Sequence, residues 1–209
     1  MIRILPSLAS SNTSNMEAAI RSLNGYPYLH FDIEDGNFVD NITFGLKTIR
    51  AVRELTDAEF DAHLMVTDPL KYIAPLAELK FGTAAFHWES TGYPMRVINA
   101  VKNAGMRVSI ALNPVTPASA VTDYLQLVDE VLIMTSEPDG AGETFQPHIM
   151  KKIRRIREAD AAVDITVDGG ANKALLPELI AAGATKVVMG RAVFRAENPS
   201  EFIRECEEI

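Results

Sequence analysis

Short apolar runs recur from one end of this chain to the other, and between them apolar residues step at helical spacing. The runs Ile2–Ser7, Tyr28–Glu34, Glu59–Met65, Thr83–Glu89, Arg107–Asn113, Glu130–Thr135, Asp164–Asp168 and Lys186–Gly190 predict eight strands. Met16, Ala19, Ile20 and Leu23 step as i, i+3, i+4, i+7, and Ile149, Met150, Ile153 and Ile156 as i, i+1, i+4, i+7, so helices are predicted there. Gly25, Gly82, Gly105 and Gly183 each fall shortly before a strand, where a helix should end. Asp68-Pro69 and Thr116-Pro117 read as an N-cap followed by proline at the first helical position. Strand then helix, eight times over, predicts parallel strands with right-handed crossovers. Closing them gives an α/β fold, a single (β/α)8 TIM barrel over residues 1–209, smaller than the usual ~250 residues because its loops are short. No low-complexity linker or shift of composition marks a second domain.

Charge alters this picture little. KKIRRIRE, Lys151 to Glu158, is a basic run, but its isoleucines recur on one face and its cations are expected on the other, as on a solvated barrel helix. A net charge of −8 argues against nucleic acid or an anionic membrane as partner. With 47% hydrophobic and 23% charged residues, the chain can bury a sizeable core. Cys206, the one cysteine, cannot form an intrachain disulfide and suggests a reducing compartment. MIRILPSLAS is neither basic nor extensively apolar, and no segment reaches the roughly 20 apolar residues of a membrane span. A cytoplasmic location is expected.

The stretch HFDIEDG, residues 30 to 36, inverts what a buried strand should show. Alternate side chains share a face, so His30, Asp32 and Glu34 point together where a core should be. Other ionisable residues fall near strand ends: His63 on the third, His87 and Glu89 on the fourth, Asp168 on the seventh. Those C-terminal ends are where barrel chemistry gathers. Imidazoles and carboxylates converging there would be badly desolvated if unpaired. One divalent metal ion taking His30, Asp32, His63 and Asp168 as ligands removes the difficulty. The mixed nitrogen and oxygen donors suit zinc, iron, manganese or cobalt without choosing among them.

PSLASSN, HFDIEDGNFVDNITFG, DAHLMVTDPLKYI, HWES, ALNPVTP, IMTSEPDGAGETF and VDGGANKALLPELIAAGA follow one another in the chain. In that order they resemble the motifs of the ribulose-phosphate 3-epimerase family, whose relatives include the allulose-6-phosphate 3-epimerases. The resemblance covers nearly the whole chain and implies a barrel of the ribulose-phosphate-binding type. It also implies a metal at His30, Asp32, His63 and Asp168, with Asp32 and Asp168 performing proton transfer. Ser7 matches a serine that contacts substrate, and Met65 and Met134 match apolar residues lining the reacting carbons. The implied activity is metal-dependent epimerisation at C3 of a ketose phosphate, and the implied partner is a phosphorylated keto sugar. A homo-oligomer is expected by analogy. The chemistry is consistent with the residues themselves: inverting a carbon beside a ketone needs a base on one face, an acid on the other, and stabilisation of the enediolate between. Asp35-Gly36 reads as a turn, Asn41 and Thr43 as supports of the following loop, Asn113 as a strand exit, and His87 as a hydrogen-bonding neighbour.

The chain departs from that family's pattern in three places. Phosphate is expected on backbone N–H groups of glycine-rich loops, here Gly140, Ala141 and Gly142, Gly169-Gly170, and Gly190-Arg191. Where the family has a loop close to PGFGGQ, this chain has PDGAGE, bringing in Asp139 and Glu143, while Arg191 replaces a usual serine. Unit charges about 5 Å apart at an effective dielectric of about 20 interact by roughly 3 kcal/mol, so these changes matter if the side chains face the ligand and not if they face water. Glu34 stands where the family generally has methionine; it would bond a substrate hydroxyl, ligate or orient the metal, or turn to solvent. A non-catalytic sugar-phosphate-binding relative and a metal-free phosphate-binding barrel isomerase are the alternative readings.

Overall fold

The computed structural model describes residues 2–138 and 144–209. Among these described residues are eight strands: β1 (Arg3–Pro6), β2 (Tyr28–Glu34), β3 (Glu59–Met65), β4 (Phe81–His87), β5 (Arg107–Leu112), β6 (Glu130–Met134), β7 (Asp164–Asp168) and β8 (Lys186–Met189). All pair in parallel, in the order 1-8-7-6-5-4-3-2. A single parallel bridge between Ser7 and His30 joins the two edges, so the sheet is a nearly closed barrel. Around it lie α1 (Met16–Ser22), α2 (Leu46–Arg53), α3 (Leu70–Glu78), α4 (Pro94–Asn103), α5 (Met150–Ala159), α6 (Leu176–Ala182), the one-turn α7 (Arg191–Phe194) and α8 (Pro199–Glu207). Among the described residues no helix is long and apolar enough to cross a membrane.

The large apolar core fills the space between the strands' outer faces and the helices. Phe31, Phe60 and Phe81 pack there with ring centroids 4.6, 5.5 and 5.3 Å apart. Burying one such side chain contributes about 1.5–3 kcal/mol. The barrel interior is different: Ala85, Ala111, Leu132 and Met134 form a small apolar cluster. The remaining buried inward positions include His30, Asp61, His63, Thr83, His87, Ser109, Glu130, Thr166 and Lys186. Near the strand N-termini, Lys186 Nζ lies 2.5 Å from Glu130 Oε2, so each of these buried charges has the other as its partner.

Several local expectations shift. Between β5 and β6 there is no α-helix; two 3-10 turns, Ala118–Ala120 and Thr122–Leu127, cross over while burying Val121 and Leu125. Gly82 lies inside β4 and does not end a helix; Lys80, with φ 57°, makes that reversal. A Cβ at Gly82 would lie 2.7 Å from the Glu59 side chain, which is exposed and can turn aside. Leu70 is the first residue of its helix, with Pro69 in the capping position, and Pro117 likewise precedes a 3-10 turn. Glu89 falls beyond the strand, in the 3-10 turn Trp88–Ser90. The KKIRRIRE run also contains an exception. Lys152 is 8% exposed and turns inward, its Nζ donating to the carbonyls of Asn113 (2.7 Å) and Pro114 (2.9 Å).

Candidate active site

Register carries side chains from distant segments to one place. In the pairing of β2 with β3, His30 stands beside Asp61, Asp32 beside His63, and Glu34 beside Met65; between β6 and β7, Met134 stands beside Asp168. Because the barrel is narrow, these meet at the C-terminal ends of the strands. One donor atom from each of His30, Asp32, His63 and Asp168 lies within 4.8 Å of the others. His30 Nε2 is 3.3 Å from Asp32 Oδ1 and 3.7 Å from Asp168 Oδ2. His63 Nδ1 is 3.4 Å from Asp32 Oδ1 and 3.1 Å from Asp168 Oδ2.

These donors fit a divalent cation. His30 Nε2 is a buried polar atom with no hydrogen-bond partner, and it points into the group. Both imidazoles are wholly buried, while the side chains of Asp32 and Asp168 are 13% exposed, so the cluster opens toward solvent on its carboxylate side. Burial opposes charge on His63, but Asp168 and Asp32 outweigh it and hold the ring at about 9. His30 is likewise raised, burial being overcome by Asp32 and Asp61. Asp32 is held below the usual carboxylate range by His30 and His63, against its own burial. A field that favours protons here also favours a metal ion.

Each member is held from behind. Ser7 Oγ donates to Asp32 Oδ2, and Thr43 Oγ1 donates to the Asp32 carbonyl while accepting from the Glu34 N–H. His30 Nδ1 lies 2.5 Å from Asp61 Oδ1, which aims Nε2 at the cluster. His63 Nε2 lies 2.8 Å from His87 Nε2, so His87 is a hydrogen-bonding neighbour. Asp35 accepts from the N–H groups of Asn37, Phe38 and Thr67, and Gly36 has φ 73°, which makes the turn out of β2.

Above the cluster opens a cleft of about 350 Å³. Ser7, Glu34, Met65, Met134, Gly169, Gly170, Gly190 and Arg191 all line it. Glu34 is buried, and its Oε2 accepts from Asn41 Nδ2 at 2.5 Å. Its burial and then the Asp32 charge raise the carboxyl to about 7.

The sequence profile of the ribulose-phosphate 3 epimerase family matches residues 3–194. The chain is 39% identical over 207 residues to the cytoplasmic isoform of ribulose-phosphate 3-epimerase of Oryza sativa subsp. japonica, covering 96% of this chain and 91% of that relative. It belongs to the ribulose-phosphate 3-epimerase family. The chain is therefore an isomerase. The ribulose-phosphate 3-epimerase of Schizosaccharomyces pombe is 34% identical over 206 residues, covering 96% of this chain and 90% of that one. Among solved structures, KGPDC from Streptococcus mutans is similar at a TM-score of 0.75 and 14% identity, over 100% of this chain and 96% of that one. 3-Hexulose-6-phosphate synthase from Salmonella typhimurium gives 0.74 and 16%, over 99% and 97%. At such identities the likeness shows the barrel alone.

Within this epimerase-family barrel, the loop after β7 is shaped by close approach. Gly169 has φ 115°, and a Cβ there would lie 2.7 Å from the Ser136 backbone nitrogen. Gly190 packs on Ser10, whose Cβ would be 2.5 Å from an added Cβ. Gly140, Ala141 and Gly142, with Asp139 and Glu143, lie outside the described residues. Three contributors escaped the sequence reading: Asp61, Ser136 and Ser10. Strand parity in FDAHLM puts Asp61 on the same face as His63, a usable signal. No one-dimensional mark distinguishes the two serines.

Proposed function

We propose that this chain interconverts the C3 epimers of a ketose phosphate, with D-ribulose 5-phosphate and D-xylulose 5-phosphate as the substrate pair. The observation that carries the reading is the convergence of two carboxylates and two imidazoles within 4.8 Å at the floor of a cleft. The names of the relatives support the pentulose.

A divalent cation held by His30, Asp32, His63 and Asp168 would polarise the C2 carbonyl and hold the negative charge of the enediolate. Asp32 takes the C3 proton from one face of the sugar, and Asp168 delivers a proton to the other; in the reverse direction they exchange roles. Ser7, bonded to Asp32, positions the oxygen that meets the proton. Met65 and Met134 keep water from the reacting carbons while the planar intermediate exists. Backbone N–H groups of Gly169, Gly170, Gly190 and Arg191 receive the phosphate, because glycine at these positions lets backbone approach the ligand. Glu34, beside Met65 and anchored by Asn41, accepts from a sugar hydroxyl.

Solvent deuterium exchange at C3 across a panel of ketose phosphates tests this. Wild-type protein should wash deuterium into ribulose 5-phosphate, and Asp32→Asn or Asp168→Asn should each slow exchange by about 10²–10⁴-fold while ligand affinity persists. Exchange that continues unchanged in either variant rejects the two-carboxylate mechanism. Elemental analysis of protein purified without chelator should find a stoichiometric transition metal.

A further inference from the structure

Behind His63 a line of polar groups runs away from the cleft. His63 Nε2 is 2.8 Å from His87 Nε2, and His87 Nδ1 is 3.2 Å from Glu89 Oε2. The other Glu89 oxygen, Oε1, accepts from the Asn113 N–H at 3.0 Å and from Thr116 Oγ1. Both imidazoles are wholly buried, with Phe38 lying against His87 at a centroid distance of 4.6 Å. Water has little access to either ring, so the partners on each side decide where the ring protons sit.

We propose that Glu89 is a positioning residue: acting through His87, it decides which nitrogen of His63 carries a proton and leaves Nδ1 as the atom offered to the metal. The inference rests on the metal-binding role given to His63 above. The logic is one of donors and acceptors. An ionised carboxylate can only accept, so His87 Nδ1 must bear the hydrogen that points at Glu89. A neutral His87 then has a bare Nε2. Two ring nitrogens 2.8 Å apart share one proton, so His63 Nε2 must supply it. In the metal-free protein Nδ1 also carries a hydrogen, facing Asp168 at 3.1 Å and Asp32 at 3.4 Å; a cation bound among these groups would displace that one, so the lone pair offered is on Nδ1. The same relation, without an intervening ring, holds on the other side, where Asp61 faces His30 Nδ1 and leaves Nε2 bare. The two histidines thus present opposite nitrogens to one centre, each chosen by a carboxylate behind it.

Glu89→Gln inverts the line with little change of shape. The amide oxygen stays with the donors Asn113 N–H and Thr116, so the amide nitrogen faces His87 Nδ1 and forces it to accept. His87 then donates from Nε2, and the proton of His63 moves to Nδ1, the ligand atom. The cobalt(II) dissociation constant should rise by about 10- to 100-fold, the usual cost of losing such support, with far-UV circular dichroism and thermal midpoint retained. The cobalt absorption bands should shift as well, which a purely structural role for Glu89 would not produce. In zinc-loaded wild-type protein, ¹⁵N NMR of the histidines should show His63 protonated at Nε2 and His87 at Nδ1. His87 protonated at Nε2, or a folded Glu89→Gln variant with unchanged cobalt affinity, overturns the proposal. The NMR result stands even if the variant does not fold. A wild type that binds neither zinc nor cobalt removes the metal reading and this inference together, whereas metal binding with the other tautomer removes the inference alone.

Discussion

Glu34 shows how one side chain can hold two states in reserve. Its carboxyl, buried beside Asp32, is raised to about 7 from an ordinary 4.5. The folded protein therefore holds a proton on Glu34 that the unfolded chain releases between those values. That contribution to stability is complete below about pH 4.5 and is lost as pH rises through about 7. Glu34→Gln mimics the protonated form, so in metal-free protein it should raise the melting temperature at pH 8, with the gain disappearing below pH 4.5; each kcal/mol regained is worth about 2–4 °C at this chain length. Differential scanning calorimetry at the two pH values checks it, and a gain equal at both would show that charge is not the cause. Parity along β2 marks Glu34 as inward in the sequence itself. Its partner is not so marked, because Asn41 reaches it across a turn whose path only the folded chain defines.

Among elements, the strands are the readily legible part. Their outward faces need apolar residues against helices, and their inward faces here carry polar ones, so alternation shows in one dimension. The polar ends of β2, β3 and β7 reveal the site for the same reason. Elements whose role depends on a single long side chain are less legible. In α5, Lys152 sits in a run of cations that all resemble solvent-facing ones, yet it reaches under the β5 exit to two carbonyls. Burial lowers its ammonium to about 8, so the helix carries that cost while anchoring Asn113, whose N–H meets Glu89. Lys152→Met keeps the stem and removes the donor. It should cost about 1–3 kcal/mol in urea unfolding, the penalty for carbonyls left unmatched. The β5–β6 crossover is similarly hidden: its apolar spacing serves two 3-10 turns as well as a helix.

For the molecule as a whole, the barrel has two polar ends with different duties. At the strand C-termini, charges converge around a cleft; at the N-termini, Lys186 and Glu130 close the interior. Removing one partner leaves a buried charge alone, and Lys186→Met should destabilise by about 3–5 kcal/mol. Adding Glu130→Leu should recover most of that loss, since an apolar pair replaces a compensated ionic one. Denaturant midpoints of the two variants decide it. The family resemblance reads from motifs spread over nearly the full length, whereas this plug at the opposite end does not stand out in any of them.

The single Ser7–His30 bridge gives the barrel a seam between its first and second strands. Both residues on that seam also serve the cluster: His30 is a member aimed at its centre, and Ser7 Oγ donates to Asp32. A cation held at the proposed centre would therefore clasp that seam as well as act on the substrate. Stripping such a cation with chelator should loosen the wall along this line first, and hydrogen exchange that speeds up at Ser7 and His30 before the rest of the sheet would show it.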